Sequence, residues 1–155
     1  MGKQALSDLK LVEYGDFITA PYCAKLFADM GAEVIKVEQP GTGDSARRAG
    51  PFPNDTPHPE KSGLFLYTNT DKLGITLNLE TALGVKVFKE LVQHADVLVE
   101  NNAPGIMDKL GVGYETLKQV NSSLIMTSIT PFGQTGPYRD FKTTDLITFH
   151  MSGYG

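Results

Sequence analysis

Five segments of the chain have the alternating or continuous apolar pattern of β-strands: residues 9–15, 33–38, 75–79, 96–100 and 124–129. Five others carry apolar residues at helical spacing: residues 22–30, 81–95, 102–110, 114–120 and 143–152. Strands and helices therefore alternate along the chain, which is typical of βαβ units with right-handed crossovers. We predict an α/β fold with an open, mainly parallel, Rossmann-like sheet and flanking helices.

Two of the predicted helices have recognisable starts. Thr19, followed by Pro21 in the first turn, is the expected N-cap of the first helix. Asn102 is the expected N-cap of the helix at 102–110. Both caps follow predicted strands directly, which places two helix N-termini at the same edge of the sheet. Four residues of the first helix are expected to face the sheet: Cys23, Leu26, Phe27 and Met30.

Ligands of such sheets bind outside the carboxyl ends of the strands. Three loops are expected to meet there: residues 15–21, 39–44 and 101–105. The helix N-termini in two of them offer free N–H groups and a partial positive charge, which favour phosphate or carboxylate. This arrangement is compatible both with an anionic, nucleotide-like ligand and with ordinary helix capping. Arg47 and Arg48, in the proline-rich loop at 40–63, fit phosphate binding and a solvated basic pair equally well.

The composition excludes several classes of partner and site. The 155 residues include 14 Lys and Arg against 18 Asp and Glu, a net charge of −4, so a nucleic acid is not an expected partner. No apolar run approaches the roughly 20 residues of a membrane span, and the first seven residues lack the apolar core of a secretory signal, so no membrane association is expected. Cys23 is the only cysteine, which excludes an internal disulfide and suits the reducing cytoplasm. His58, His94 and His150 lack metal-ligand spacing, so no metal site is expected.

Motifs for common nucleotide-binding and hydrolytic chemistry do not occur in the chain. The GTGD run at 41–44 follows the second predicted strand and lacks the third glycine of the dinucleotide fingerprint, so a plain turn explains it better. Neither a P-loop run nor a G-x-S-x-G nucleophile elbow is present. The pattern alone therefore assigns no catalytic residue.

Four segments match, in order, linked motifs of one known family. They are residues 31–44 (GAEVIKVEQPGTGD), 69–79 (NTDKLGITLNL), 96–105 (DVLVENNAPG) and 128–138 (SITPFGQTGPY). The series resembles the class III (family III) CoA-transferases, the group that contains formyl-CoA transferase and carnitine CoA-transferase. The resemblance extends from about residue 9 to residue 155, with Gly74 and Pro131 where the family usually has Ser and Gly.

The resemblance implies that residues 1–155 are the N-terminal part of a larger Rossmann-like, CoA-binding domain in an interlocked homodimer. It implies an activity that passes CoA from an acyl-CoA to a carboxylic acid, with these two as substrates and no permanently bound cofactor. In the family an aspartate carboxylate attacks the thioester and then carries the CoA as an aspartyl intermediate. That aspartate is expected beyond Gly155, so no catalytic residue is expected here, and the chain alone is expected to be inactive.

CoA-contacting positions follow from the same resemblance. In chain order they are Ile18 and Thr19 near the thioester, Gln39 after the second strand, Leu77 and Asn78 along the adenine and ribose, Asn101, Asn102 and Ala103 at a helix start, Lys109 on a phosphate, and Lys142, Thr143 and Asp145 near the catalytic aspartate. Gln39 stands where the family often has Arg, so Arg47 or Arg48 is expected to supply the phosphate contact instead. At Lys109 the charge of the family's Arg is kept, but its bidentate fork is lost.

The sequence is also compatible with two alternative functions. The 2-methylacyl-CoA racemases share these motifs and use a histidine where this chain has Thr144, whose hydroxyl does not take up a proton near neutral pH. His150 lies six residues further on and is a poor substitute, so the transferase is favoured. A non-catalytic module that binds CoA or a nucleotide is the second alternative.

Overall fold

The computed structural model describes residues 4–154, so residues 1–3 and Gly155, where the family-like series ends, lie outside the described residues. The strands of the described part are β1 (Lys10–Tyr14), β2 (Glu33–Glu38), β3 (Leu73–Thr76), β4 (Val97–Glu100) and β5 (Ile125–Ser128). All neighbouring pairs are parallel, in the spatial order β3-β2-β1-β4-β5. This is the order of the first five strands in doubly wound folds, and the predicted α/β fold with an open parallel sheet is confirmed.

The α-helices of the described part are α1 (Thr19–Asp29), α2 (Gly63–Thr68), α3 (Ala82–Gln93), α4 (Ile106–Lys109), α5 (Tyr114–Val120) and α6 (Asp145–Met151). The loop after β2 contains two short 3₁₀ turns, Ser45–Arg48 and Pro53–Asp55. Ser62 fastens this loop, because its Oγ lies 2.6 Å from the carbonyl oxygens of both Ala46 and Ala49. Within residues 4–154, no helix is long and apolar enough to cross a lipid bilayer.

Helices cover both faces of the central strands. On one face a buried cluster joins α3 and α5 to the sheet: Val12, Leu98, Phe88, Val92 and Leu117. On the other face a second cluster joins α1 to the sheet: Leu11, Val34, Val97, Val99 and Ala24. Successive residues of a strand point to opposite faces, so a strand that is buried on both sides has a continuous apolar run.

The predicted inward face of α1 is wrong. The helix buries Ala20, Pro21, Ala24 and Ala28, whereas Leu26 and Met30 are 40% and 50% exposed. Cys23 and Phe27 lie at the margin of the cluster, half-buried. Alanines four positions apart share one side of a helix, and their small side chains let α1 approach the sheet closely. The larger side chains of α1 consequently lie at its flanks.

Both predicted N-caps are also wrong. Thr19 is the first residue of α1, and Ile18 takes the N-cap position without a side-chain bond. The helix α4 begins four residues after Asn102, behind Gly105, whose φ of 82° favours glycine. The Thr19 hydroxyl instead accepts a bond from Asn101, and the Asn102 side chain donates to the last residues of β1 and β4.

Candidate functional site

The strand order reverses between β1 and β4, and the carboxyl ends of these two strands frame the candidate site. Such a switch point forms the crevice in which open α/β sheets bind ligands. Two cavities open there. One of about 290 Å³ is lined by residues that follow β1 and β2, and one of about 570 Å³ is lined by residues that follow β4 and β5. Asn102 lines both cavities, so the loops predicted to converge at this edge do converge.

Asn101 joins the ends of β1 and β4. Its Oδ1 accepts the N–H of Asp16 at 2.8 Å, and its Nδ2 donates to the carbonyl of Asp16 at 2.7 Å. The same Nδ2 donates to Oγ1 of Thr19 at 2.9 Å. Three bonds use nearly the whole hydrogen-bonding capacity of the amide. Asn101 therefore fixes the loop between β1 and α1, and its amide is occupied by the protein itself.

Asn102 closes the same junction one residue further on. Its backbone N–H and its Nδ2 both donate to Oε2 of Glu100, at 2.7 and 3.1 Å, and Nδ2 also lies 3.4 Å from the carbonyl of Tyr14. Glu100 is only 2% exposed. A buried carboxylate needs such donors to offset its lost hydration. The turn after β4 is thus shaped by a short polar network.

The loop after β2 holds the loop after β1 from the other side. Asp44 Oδ1 accepts the N–H of Phe17 at 3.0 Å. The carboxylate of Asp16 accepts the N–H of Ser45 at 2.7 Å and its hydroxyl at 2.6 Å. The segment between β1 and α1 is therefore bonded to β4 through Asn101 and to the β2 loop through Asp44 and Ser45.

A cluster of buried charges lies beneath this segment. Lys36 Nζ contacts Oε1 of Glu13 at 2.6 Å and Oδ2 of Asp44 at 2.7 Å. Lys72 Nζ contacts the other oxygen of Glu13 at 2.7 Å and also donates to the carbonyl of Pro21 at 2.7 Å. All four charged side chains are at most 2% exposed. Burial on this scale is tolerated only because each charge has an opposite partner.

Burial and pairing set the protonation of the cluster. Burial disfavours the charged form of Lys36, but Glu13 and Asp44 outweigh it and hold its pKa above the ordinary value. For Lys72 burial dominates over the attraction of Glu13, and its pKa is lowered. Burial and the charge of Glu13 raise the pKa of the nearby Cys23 thiol. Cys23 is therefore a neutral thiol near pH 7 and no nucleophile.

Arg47 forms a second ion pair at the margin of the cluster. Its Nε and Nη2 donate to the two oxygens of Glu38, both at 2.8 Å, and Nη1 donates to Glu60 at 2.9 Å. The guanidinium also stacks on the Phe65 ring, 3.7 Å from its centroid. Arg47 is thus engaged within the protein. Its neighbour Arg48 lines the smaller cavity, where Nη1 donates to the carbonyl of Thr42 at 2.7 Å.

Glu38 is expected to make the stability of the fold pH-dependent. Burial raises the pKa of this carboxyl, but the bonds from Arg47 and from the Asp44 N–H outweigh burial and hold the pKa below its ordinary 4.5. The stabilisation is therefore complete above pH 4.5 and is lost as the pH falls through the lower, folded-state pKa. Glu38→Gln should unfold more easily at pH 7, by about 1–3 kcal/mol, with a smaller deficit at pH 3.

Urea unfolding at both pH values tests this expectation. Glu90→Gln is the matched control, because Glu90 is an exposed carboxylate on α3 whose contact with Lys86 is long, at 3.9 Å. Its variant should differ from wild type by less than about 0.5 kcal/mol at either pH. A deficit of Glu38→Gln that is the same at pH 3 and pH 7 would contradict the assigned ion pair.

The larger cavity combines basic and aromatic side chains. Arg139 and Lys142 line it together with Phe132 and Phe141, whose rings meet edge to face at 6.2 Å. Thr130 also lines it, and its buried Oγ1 has no hydrogen-bond partner in the described structure. A buried hydroxyl without a partner is costly, and a ligand group can satisfy it. Asp140 lines the cavity as well and contacts Arg139 at 3.3 Å, but this carboxylate is 76% exposed, so the pair is weak. The cavity therefore offers cations and a hydroxyl donor to a group with hydrogen-bond acceptors.

The structure brings some of the sequence-predicted residues together and separates others. The smaller cavity contains Gln39, Asn102 and Arg48. The larger cavity contains Asn101, Asn102, Ala103, Lys142 and Thr143. Seven predicted positions line neither cavity: Ile18, Thr19, Arg47, Leu77, Asn78, Lys109 and Asp145.

The positions outside the cavities have other surroundings. Ile18 is 40% exposed at the start of α1, where Thr19 accepts its bond from Asn101. Asn78 lies two residues past β3, and its Oδ1 accepts the N–H of Glu80 at 2.9 Å in the turn before α3. Lys109 on α4 and Asp145 at the start of α6 are exposed. Contacts of these residues with a ligand remain predictions.

Sequence reasoning missed the buried charges, although the sequence carries a signal for them. Glu13 and Lys36 each stand between apolar neighbours within a strand, in LVEY and VIKVE. A charge inside a strand that is buried on both faces requires a partner of opposite sign. In the sequence, Asp44 is only the last residue of a glycine-rich turn. No neighbouring residue indicates that this turn folds back onto β1.

A further cavity lies apart from this edge. A cavity of about 470 Å³ is lined by Lys10, Glu33 and His94, among others, at the amino ends of β1 and β2. It opens at the opposite edge from the switch point. In the described part of the chain, no group of three or more His, Cys, Asp or Glu side chains could hold a metal ion.

Comparison with known proteins gives consistent matches. The sequence profile described as CoA-transferase family III matches residues 6–154. Succinyl-CoA–L-malate CoA-transferase β subunit from Chloroflexus aurantiacus is 43% identical over 136 residues, covering 87% of this chain and 32% of that protein. Succinate–glutarate CoA-transferase from Agrobacterium fabrum is 40% identical over 154 residues, covering 98% of this chain and 38% of that protein.

The fold matches as well. A crystal structure of a CAIB/BAIF family protein from Brucella suis superposes with a TM-score of 0.88 at 37% sequence identity, over 98% of this chain and 40% of that one. The chain thus spans about a third of the length of its curated relatives, between 32% and 38%. Because the family profile covers nearly all of the sequence and includes the four motifs between residues 31 and 138, this chain belongs to CoA-transferase family III.

Proposed function

We propose that this chain is the CoA-binding part of an enzyme that transfers CoA between an acyl-CoA and a carboxylic acid. The observation that carries the proposal is the pair of cavities that meet at the switch point, with Asn102 between them. Gln39 and Arg48 in the smaller cavity hold the phosphate-bearing part of CoA. The larger cavity, with Lys142 and Thr143, receives the thioester and the acid.

The start of α1 supports an anionic ligand at this place. Its N-cap, Ile18, makes no side-chain capping bond, and the first turn contains no acidic residue. The partial positive charge of this helix N-terminus is therefore not neutralised by its own side chains. Arg48 adds a full positive charge in the adjoining cavity, whose carboxylates are each bonded within the protein: Asp16 to Ser45, Glu38 to Arg47 and Asp44 to Lys36. Phosphate is the group of CoA that both features favour.

We propose a short dicarboxylic acid as the acid substrate. The two curated relatives described above are named for malate, succinate and glutarate, which all carry two carboxyl groups. One carboxyl group reacts and the other needs a cation. Arg139 and Lys142 line the larger cavity, and an arginine fork binds a carboxylate in bidentate fashion.

The finer steps follow the family resemblance. An aspartate outside residues 1–155 attacks the thioester carbonyl, CoA leaves as the thiolate, and the thiolate then attacks the aspartyl carbonyl to release the first acid. The carboxylate of the second acid then attacks the aspartyl thioester and displaces the CoA thiolate, which attacks the acyl carbonyl of the new anhydride and so forms the new acyl-CoA and frees the aspartate. Residues 1–155, as the N-terminal part of the large CoA-binding domain, hold CoA and exclude water. An interlocked homodimer in the cytoplasm, with no permanently bound cofactor, is part of the same proposal.

The racemase alternative finds less support in the described residues. Thr144 is the N-cap of α6 and has no group that takes up a proton near neutral pH. A non-catalytic binding module shares the CoA site, and only turnover by the complete protein separates it from the transferase. Complete protein that inverts a 2-methylacyl centre, or that transfers no CoA to an acid, would contradict the proposal.

Titration calorimetry of the chain with CoA tests the binding part. CoA should bind more tightly than pantetheine, which lacks the phosphates, by about tenfold or more, since bonds to charged groups contribute about 1.5–3 kcal/mol. The chain alone should show no transfer between succinyl-CoA and glutarate. Equal affinity for CoA and pantetheine, or transfer by the chain alone, would count against this assignment.

Arg48→Ala is expected to weaken CoA binding by about tenfold, because it removes the cation from the smaller cavity. Calorimetry with CoA measures the loss, and pantetheine binding should stay unchanged. Lys86→Ala is the matched control, since Lys86 is a highly exposed cation on α3 that lines neither cavity. Unaltered CoA affinity in Arg48→Ala would remove Arg48 from the phosphate site.

A further inference from the structure

Phe17 has an unusual backbone conformation in the segment between β1 and α1. Its φ of 67° lies in the left-handed region, which bulky side chains rarely adopt. Three other non-glycine residues between 4 and 154 have a positive φ, and all are of types that tolerate it: Asn54, Asp55 and Asp71. The Phe17 ring is 44% exposed, so its packing does not explain the conformation. Polar contacts of the backbone must hold it.

Those contacts come from two neighbouring loops. Asp44 Oδ1 accepts the Phe17 N–H at 3.0 Å. The preceding residue, Asp16, has its N–H and its carbonyl bonded to Asn101 and its carboxylate bonded to Ser45. Consecutive residues are thus fixed from the β4 side and from the β2 side. Asp44 is the group that bonds Phe17 itself.

Asp44 is well placed to resist the strain because it is itself immobilised. Its side chain is fully buried, its Oδ1 also accepts the N–H of Ala46 at 2.8 Å, and its Oδ2 contacts Lys36 Nζ at 2.7 Å. Its own N–H donates to Glu38 at 2.7 Å. Strained backbone persists where the surroundings over-determine it, and it concentrates at ligand sites.

We propose that Asp44 is a positioning residue that holds Phe17 in the left-handed conformation and so presets the backbone from Phe17 to Thr19 for CoA. The inference rests on the proposed function, because this segment leads into α1 at the switch point. A segment ordered before binding loses less conformational freedom when the ligand arrives. Asp44 therefore acts on affinity through the loop.

A double-mutant cycle with CoA as the ligand tests the proposal. Phe17→Gly removes the strain, because glycine adopts the left-handed region readily. Asp44→Ala should weaken CoA binding by about tenfold when Phe17 is present and by less than about threefold when it is combined with Phe17→Gly. Equal fold-losses in both backgrounds would show that Asp44 serves only general stability and would overturn the proposal.

Two further variants show whether a loss of CoA affinity reflects misfolding rather than the loss of the Asp44–Phe17 bond. Asp44→Ala leaves Lys36 with one carboxylate fewer, so Asp44→Asn is compared with it, because an amide oxygen can still accept the Phe17 N–H but carries no charge for Lys36. The CoA affinity of Asp44→Asn is expected to stay within about threefold of wild type, and a loss as large as that of Asp44→Ala counts against the positioning role. Asp96→Ala is the matched control, since the Asp96 carboxylate accepts the Lys10 N–H at 2.8 Å at the opposite edge of the sheet. Its CoA affinity should stay within about twofold of wild type.

Hydrogen exchange of the Phe17 amide separates this proposal from the proposed function. Without any ligand, Asp44→Ala should accelerate exchange at Phe17 by about tenfold or more, while Asp96→Ala keeps it slow. Unchanged exchange in Asp44→Ala overturns the positioning role even if CoA binds. If exchange accelerates in Asp44→Ala but the wild-type chain does not bind CoA, the proposed function is contradicted. The result then still supports the proposal that Asp44 fixes the backbone of Phe17.

Discussion

Replacing Lys36 by Met is expected to lower the free energy of unfolding by about 3–5 kcal/mol. Its ammonium is 2% exposed and contacts both Glu13 and Asp44. Met fills a similar volume, so the loss comes from charge. Glu13 retains Lys72 at 2.7 Å, whereas Oδ2 of Asp44 is left buried without a partner. Removing one partner of a buried pair costs far more than the pair contributes when both are present.

Urea unfolding at pH 7 measures this effect, with two comparisons. Lys86→Met removes a cation that is 74% exposed and 3.9 Å from Glu90, so its loss should be below about 0.5 kcal/mol. Combining Lys36→Met with Asp44→Asn removes both charges and should restore about half of the lost stability, since an amide is less costly to bury than a carboxylate. A loss below about 1 kcal/mol in Lys36→Met would mean that the cluster is hydrated.

The fold was predictable because its signals are local. Strands with continuous or alternating apolar residues separated by amphipathic helices leave few topologies, and the parallel sheet follows. The bounds of the third strand do not follow from the local pattern. The alternation predicts a strand at 75–79, but β3 is Leu73–Thr76. The Leu77 N–H still donates to the backbone carbonyl of Glu38, and the chain then turns so that the Leu79 side chain packs in the core.

The face of α1 could not be predicted from hydrophobicity. Leu26, Phe27 and Met30 are more apolar than alanine, yet the buried face consists of Ala20, Ala24 and Ala28. How closely a helix lies on a sheet depends on the volume of the side chains between them, and small residues allow the closest approach. That distance is set by the whole layer, so it does not appear in the pattern of one helix.

The sequence predicts where Asn101 and Asn102 lie, but not which groups their side chains bond. The sequence put Asn101 and Asn102 at the switch point, and the structure has them there. The Asn101 amide bonds to the backbone of Asp16 and to the Thr19 hydroxyl, and the Asn102 amide donates to the Glu100 carboxylate and the Tyr14 carbonyl. An asparagine can make such bonds within the protein as readily as it binds a ligand. Arg47 shows the same ambiguity, because only the fold reveals that Glu38 and Glu60 engage its guanidinium.

Asn101→Ala is expected to weaken CoA binding by roughly 10–100-fold, the second large effect that the structure predicts. The substitution frees the N–H and the carbonyl of Asp16 and the hydroxyl of Thr19. Each lost hydrogen bond contributes a net of about 0.5–1.5 kcal/mol, and tenfold in affinity corresponds to about 1.4 kcal/mol. Without these three bonds the segment between β1 and α1 is no longer fixed to Asn101, so it leaves the proposed binding geometry more easily.

Asn121 provides a matched control for that experiment. Its Nδ2 donates to the carbonyls of Val92 and Ala95 at 3.0 and 2.7 Å, and its Oδ1 accepts the N–H of Ser123 at 3.1 Å. Asn121→Ala therefore removes the same kinds of bond at the opposite edge of the sheet. Both variants should lose similar stability in urea, by about 1–3 kcal/mol, but only Asn101→Ala should lose CoA affinity in calorimetry. If the two variants lose CoA affinity equally, the loss reflects stability alone and the switch point is not the CoA site.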